Sequence, residues 1–279
     1  EKMLANNANS DILKVLTARS INGLERSYLP IYMNCDENCD KKDKKLPLFS
    51  DSYNYGDTKE ELEAKNYAKN LEQFIEKVRA KSDDEFWQIS SAYVKFLNKD
   101  YKGSESILNQ IKTNDVDYLS EIEKMKMLND IVSQPKITAE FEEKMMQKYQ
   151  GFFSKEKVRA KYDWETQPNT KEFIIDILAN RYFLQGEDGK SFLMNNKMSD
   201  LQYNPNSFLV KSVDDFYKKT NKTSFEKFIA ENFDDVGNPE AFFNVIYGDK
   251  AMRNADFASA KSFYEKAKNF RVIPRLSYD

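Results

Sequence analysis

The sequence predicts an all-α fold, an α-α superhelix of stacked antiparallel helix pairs. Three observations point that way. Glycine and proline are scarce, 8 and 7 in 279 residues, which suits long helices joined by short turns. Apolar residues recur at the i, i+3, i+4 spacing of one helix face through most of the chain. From residue 171 onward, helix and turn alternate with a step of about 34 residues, a period typical of helical repeats.

The elements follow in order. From Ser10 to Arg26 the residues Ile12, Leu13, Val15, Leu16, Ile21 and Leu24 keep helical spacing, with Ser10 or Asp11 placed to cap. Pro30 ends this helix. Residues 34–57 form the least regular stretch, a loop holding Cys35 and Cys39, a lysine-rich run at 41–45 and the aromatics Tyr53 and Tyr55; loops of such length tend to be functional or mobile. Thr58 opens a long helix striped by Leu62, Ala68, Leu71, Phe74, Ile75 and Val78. Ser82 to Glu85 reads as a capping box ahead of Phe86, Trp87, Ile89, Ala92, Tyr93 and Phe96. A short turn at Asn98-Lys99-Asp100 leads into a helix with Ile107, Leu108 and Ile111. Asp115 to Val132 and Ile137 to Phe153 predict a further hairpin around Pro135.

This pattern divides the chain into an irregular helical block over 1–153, containing the cysteine loop and one helix pair at 83–112, a polar connector over 154–170, and three helix pairs over 171–279. In the last block Tyr182 precedes a turn at Gly186, Tyr217 one at Asn221, and Ala251 one at Asn254. The unit from Asn244 to Ala267 resembles a tetratricopeptide repeat. Gly248 stands at the small position of the first helix, Asp256-Phe257 at the acidic-aromatic start of the second, and Ala260, Tyr264 and Ala267 at the second helix's packing positions. Small residues there let two antiparallel helices approach closely while the aromatic fills the groove. The resemblance is good over 240–270, fair over 171–235 and 83–112, and absent before 58. Ser104 replaces the usual alanine, and Asn195 and Glu226 stand where the pattern wants apolar or small residues.

Composition excludes several functions. Forty-three basic and 46 acidic residues leave a net charge of −3, with the two signs interleaved, so no basic stripe supports a nucleic-acid partner. No apolar run reaches the roughly 18 residues of a membrane span. The chain opens Glu1-Lys2-Met3 and reads as a mature or truncated form whose address label would be lost. Histidine is absent, which removes Ser-His-Asp triads, Cys-His dyads and His-ligated zinc or haem, along with the side chain best poised for proton transfer at neutral pH.

The remaining motifs are weak carriers of chemistry. Cys35 and Cys39 suit either a small-loop disulfide or two free thiols; a zinc site would have to recruit carboxylates. A disulfide would favour an extracytoplasmic address, periplasm or cell surface. Asp36, Asn38 and Asp40 mimic the start of a calcium loop, but Lys41 and Pro47 stand where its glycine and bidentate glutamate belong. Ser154 to Lys157 and Ser224 to Lys227 match a Ser-x-x-Lys spacing without companion motifs. The acidic pairs Asp83-Asp84, Glu142-Glu143 and Asp234-Asp235 have the residue types of a glycosidase, yet read as helix starts or solvated faces where anions favour the helix dipole. Trp164, Tyr203, Tyr53 and Tyr55 fall in connectors and are the aromatics expected to be exposed.

The expected function is therefore non-catalytic: a scaffold that binds a protein or peptide partner, without cofactor or metal, in a cell envelope. The repeat resemblance implies a right-handed superhelix whose groove is lined by first-helix positions, here Asp176, Asn180, Asp249 and Arg253. Asp176 takes the place of the lysine that clamps a terminal carboxylate in the chaperone-tail type of repeat, which implies a basic or neutral ligand. Three other classes stay open: a surface glycan or nutrient binder, the helical scaffold of a carboxylate-dependent hydrolase, and a purely structural spacer within a larger envelope protein.

Overall fold

The structure is a computed structural model and describes residues 7–8, 10–28, 58–154, 170–203 and 207–268. Among these residues every regular element is a helix and there is no strand. The chain separates into two compact units, Glu1–Pro135 and Lys136–Asp279. Residues 155–169 of the expected connector, the cysteine loop with Cys35 and Cys39, Tyr53, Tyr55 and Trp164 lie outside the described residues.

The first unit contains α1 (Asp11–Tyr28), α2 (Thr58–Arg79), α3 (Glu85–Leu97), α4 (Tyr101–Gln110) and α5 (Val116–Ser133). Each helix packs on the next, and α1 and α5 also reach α3. Trp87 of α3 is fully buried against Leu13 of α1 and Val78 of α2, with the rings of Phe74 and Phe86 edge-on to the indole. Ala92, Ile107, Leu108, Ile122 and Met125 join α3, α4 and α5 in a second cluster. The capping box expected at Ser82 is displaced. Asp84 caps α3 by accepting from the Phe86 amide at 2.9 Å, while the Ser82 hydroxyl accepts from Asp84's own amide. Asp84 also pairs with Lys14 of α1, so a single carboxylate starts one helix and holds another. Ser104, where the repeat pattern prefers alanine, is buried and accepts a hydrogen bond of 2.9 Å from Asn129 of α5. A hydroxyl is tolerated there because its partner is supplied.

The second unit contains α6 (Ala139–Lys148), α7 (Gln150–Ser154), α8 (Thr170–Leu184), α9 (Asp188–Asn195), a 3-10 helix (Met198–Tyr203), α10 (Ser207–Lys218), α11 (Ser224–Ala230), a second 3-10 helix (Glu231–Val236), α12 (Pro239–Arg253) and α13 (Phe257–Ala267). Its central element is α8. Ile174, Ile175, Ile177, Leu178, Ala179 and Tyr182 are all buried, so the helix is apolar nearly all round, as a core helix must be. Helix α9 packs on α8, α10 and α11, while α11 takes α6 and α9 as its chief neighbours.

One turn geometry occurs three times. At Asn98-Lys99-Asp100, Gln185-Gly186-Glu187 and Asn254-Ala255-Asp256 the middle residue has φ of 65°, 81° and 58°. The third residue's amide reaches back to the carbonyl of Lys95, Tyr182 or Ala251, at 2.9 Å in each case. These are Schellman endings, which satisfy the orphan carbonyls at a helix C-terminus. Asp100 and Asp256 then cap the next helix by accepting from Gly103 and Ser259. The pairs α3–α4, α8–α9 and α12–α13 are thus each closed by the same device. Residues 219–223 follow another course: there the Lys219 amide bonds to Phe216, and α11 turns toward α6 and α9.

Close helix approach is visible at two glycines. A Cβ on Gly248 would lie 2.5 Å from the Tyr264 ring, which fills the groove of the α12–α13 pair, with Ala260 and Ala267 buried beside it. A Cβ on Gly189 would lie 2.4 Å from the backbone oxygen of Ser212 in α10. A ring can shift and a carbonyl cannot, so Gly189 is the stricter requirement. Replacing a helix-interior glycine by alanine ordinarily stabilises by up to about 1 kcal/mol. Gly189→Ala should instead destabilise by about 1–3 kcal/mol through overpacking. Ala255→Gly should stabilise by about 1 kcal/mol by relieving the left-handed conformation. Urea denaturation of the two variants checks this pair of opposite signs.

Candidate functional site

The four first-helix positions expected to line a groove fall on two helices. Asp176 and Asn180 belong to α8, Asp249 and Arg253 to α12. Asn180 is only 4% exposed, packed into the core of the unit, so it contributes to the interior and not to a binding face. Its Oδ1 accepts no hydrogen bond from the described residues. Asp249 is half-buried and accepts a hydrogen bond of 2.7 Å from the Tyr264 hydroxyl; this bond, burial and the aspartate's charge all raise the phenol's pKa. Arg253 is exposed at the end of α12. For Asp176 only the helical position is described.

The densest chemistry in the second unit lies elsewhere. Glu142 of α6, Lys190 of α9 and Glu226 of α11 are 1%, 9% and 0% exposed and meet in one cluster. The Lys190 ammonium donates to Glu142 at 2.9 Å, to Glu226 at 2.6 Å and to Glu187 at 2.6 Å, and it lies 4.8 Å from the centre of the Tyr182 ring. The Tyr182 hydroxyl donates to Glu142 Oε1 at 2.8 Å, and Thr223 donates to Glu142 Oε2 at 2.5 Å. Glu226 also accepts from Lys219 at 2.7 Å and from the Thr223 amide at 3.1 Å, while the Thr223 hydroxyl caps α11 in return. Next to it, the exposed Glu143 accepts from the Ser224 amide at 2.7 Å at the start of α11. That backbone and side-chain contact with Ser224 lowers the carboxyl's pKa, a charge placed on the positive end of a helix dipole.

The cluster's electrostatics follow from its contacts. Burial opposes ionisation of Glu226, but the hydrogen bonds from Lys190 and Lys219 outweigh it and hold the carboxyl below the ordinary 4.5. Burial likewise opposes the Lys190 charge, and its three carboxylate partners more than offset that, raising the ammonium above 10.5. Burial and the neighbouring Glu142 carboxylate push the Tyr182 phenol well above 10.0. All three groups are therefore fixed in one protonation state at neutral pH. A general acid or base has its pKa near the working pH, and these groups are driven away from it. The cluster is a buried structural tie between α6, α9 and α11. Among the described residues no set of three or more Cys, Asp or Glu side chains is arranged to hold a metal ion, and no helix is long and apolar enough to cross a membrane.

Sequence reasoning took the Glu142-Glu143 pair for a helix start or solvated face. Both stand at the start of α6 as expected, Glu142 in its first turn; Glu143 is solvated, whereas Glu142 is buried, with Tyr182, Lys190 and Thr223 satisfying both its oxygens. A signal for the cluster did exist in Glu226, a carboxylate where the repeat resemblance calls for an apolar or small residue. Its partner Lys190 stands 36 residues away in the sequence, and Glu142 further still, so spacing alone could not join them.

In comparison with known proteins, no family model, no curated protein and no solved structure matches this chain.

Lys190→Met leaves buried carboxylates without their cation and should destabilise the second unit by about 3–5 kcal/mol. Glu226, with a lowered folded pKa, contributes stability that is complete above 4.5 and lost as pH falls through its folded value. Lys190, with a raised pKa, contributes stability that is complete below 10.5 and lost as pH rises through its folded value. Glu226→Gln should therefore flatten the acid limb of the stability profile below pH 4.5, and should make the alkaline limb shallower too, since Glu226 is one of the carboxylates that raise Lys190. Denaturant melts from pH 3 to 7 measure the slope; an acid limb as steep as the parent's would contradict the assignment.

Proposed function

We propose that this chain is a non-catalytic binding scaffold of tetratricopeptide-like character, whose helix pairs present a groove to a peptide or protein partner. The observation that carries the reading is the threefold recurrence of one Schellman turn, at Lys99, Gly186 and Ala255, each closing an antiparallel pair. A repeated pair of this kind holds no reactive group of its own, and what repetition creates is an extended surface. The close packing of Gly248 against Tyr264, with Ala260 and Ala267 buried, supports the same reading. So does the use of Glu142, Lys190 and Glu226 as a structural tie, since it occupies the carboxylates that could otherwise serve a hydrolase.

Of the groove positions, Arg253 is exposed, Asp249 is held by Tyr264 and Asn180 is given over to the core; Asp176 enters the proposal from its place in the sequence register. An acidic residue at the clamp position favours a peptide with basic or neutral side chains and no reliance on its terminal carboxylate. A cell-envelope setting is part of the proposal and rests on Cys35 and Cys39 as a disulfide pair.

Selection from a random-peptide display library with the intact protein tests the reading. Extended peptides should be enriched, and their affinity should fall at least ten-fold in Asp176→Ala/Arg253→Ala while the melting temperature stays within about 2 °C. Enrichment of nothing, or peptides that bind the double variant equally well, would overturn it.

A further inference from the structure

Helix α1 is apolar on two sides, and its own unit uses only one of them. Leu13, Ile21 and Leu24 are buried, with Thr17 between them. Leu13 packs there on Val78 of α2 and Trp87 of α3. Ile12, Val15 and Leu16 lie on the opposite face and are 63%, 53% and 45% exposed. Residues at i, i+3 and i+4 stack on one face of a helix, so these three side chains form a single patch. Single exposed apolar residues are ordinary, whereas a contiguous group of large ones favours contact with another surface.

The charges of this face are ordered along it. Between Asp11 and Leu24 the helix carries three, Asp11, Lys14 and Arg19. Lys14 is taken up by Asp84 of α3. Asp11 and Arg19 are exposed and flank the patch, one at each end. Each stands four residues from Val15, about 6 Å along the axis. The face thus runs acid, apolar, base, with Val15 at its middle. That order is its own complement when a second such helix runs the opposite way, because Asp11 of each then faces Arg19 of the other. A parallel neighbour would set like charges together, which is costly.

We infer that the protein self-associates through α1, two copies packing this face antiparallel about a two-fold axis at Val15. Val15 then meets Val15 of the second copy, Ile12 and Leu16 of both copies fill the space on either side, and an Asp11–Arg19 pair closes each end. A two-fold contact uses the same patch on both subunits, as this one does. The apolar side chains supply the driving force, and the charge pairs fix direction and register. Three apolar side chains per copy make a contact smaller than the roughly 800 Å² per partner of a standard stable complex. The dimer is therefore a weak one, and its population depends on protein concentration. The face shares no residue with Asp176 or Arg253, and the inference stands whether or not that groove binds a peptide.

Sedimentation equilibrium of the intact protein, from low micromolar to near-millimolar concentration, tests it. The mass should rise from that of a monomer toward that of a dimer and stop there. Val15→Glu puts two carboxylates at the axis and should raise the dissociation constant at least ten-fold. Asp11→Arg alone, or Arg19→Asp alone, sets like charges face to face and should weaken the dimer at least three-fold. Asp11→Arg/Arg19→Asp restores the complement and should bind within two-fold of the parent. Circular dichroism melts report whether each variant stays folded; should Val15→Glu unfold, the charge-reversal set alone decides. A monomer at every concentration, assembly beyond a dimer, association indifferent to Val15→Glu in a folded variant, or a double variant as weak as the single ones would each overturn the inference.

Discussion

Lys190 is the constraint on which the second unit depends. Its ammonium lies between Glu142, Glu187 and Glu226, and it supplies the cation that the buried carboxylates Glu142 and Glu226 share. Two charges brought out of water cost several kcal/mol apiece, and their attraction offsets this only when geometry is good and every remaining lone pair is satisfied. The cluster meets the condition. Tyr182 and Thr223 complete Glu142, Lys219 and the Thr223 amide complete Glu226, and the Tyr182 ring lies beside the ammonium. The apolar core around it, built from α8 with Phe225 stacked on Tyr182 and Phe153 edge-on to Phe225, could slide in many registers. A three-way ionic contact tolerates few.

That constraint explains where the unit departs from regular repetition. The pairs α8–α9 and α12–α13 close through the same turn as α3–α4. Helix α11 is short, runs into a 3-10 helix and keeps company with α6 and α9. Its first turn carries Thr223 and Glu226, both drawn to Glu142 and Lys190, and that polar attraction sets its direction. The irregular member, α11, is the one that carries the ionic tie to α6 and α9.

The fold was largely legible in the sequence, because helical periodicity and turn residues are local signals. The stripe of Thr58 to Val78, the turns at Lys99, Gly186 and Ala255, and the small residues at 248, 260 and 267 all became what their spacing implied. Ser82 as the cap of α3 was misread by two residues, since the Ser82 hydroxyl takes the Asp84 amide while Asp84 takes that of Phe86 and also gains Lys14. The site was far less legible. Asn180 carries a polar side chain at a groove position of the repeat register, yet packing around α8 takes it inside. Glu142 reads as solvated because its sequence neighbours are charged, Glu140, Glu143 and Lys144, whereas its partners come from residues 182, 190 and 223. Long-range ionic contacts leave no periodic trace, only an acid where a hydrophobe is expected.

Native-state hydrogen exchange tests the central claim most directly. If Glu142, Lys190 and Glu226 form one tie, the slowest amides of α6, α9 and α11 open together with a single free energy. Glu142→Gln should lower that value by the same amount in all three helices while leaving α3 and α4 unchanged. Loss of protection confined to α6, with α9 and α11 exchanging as before, would contradict the account.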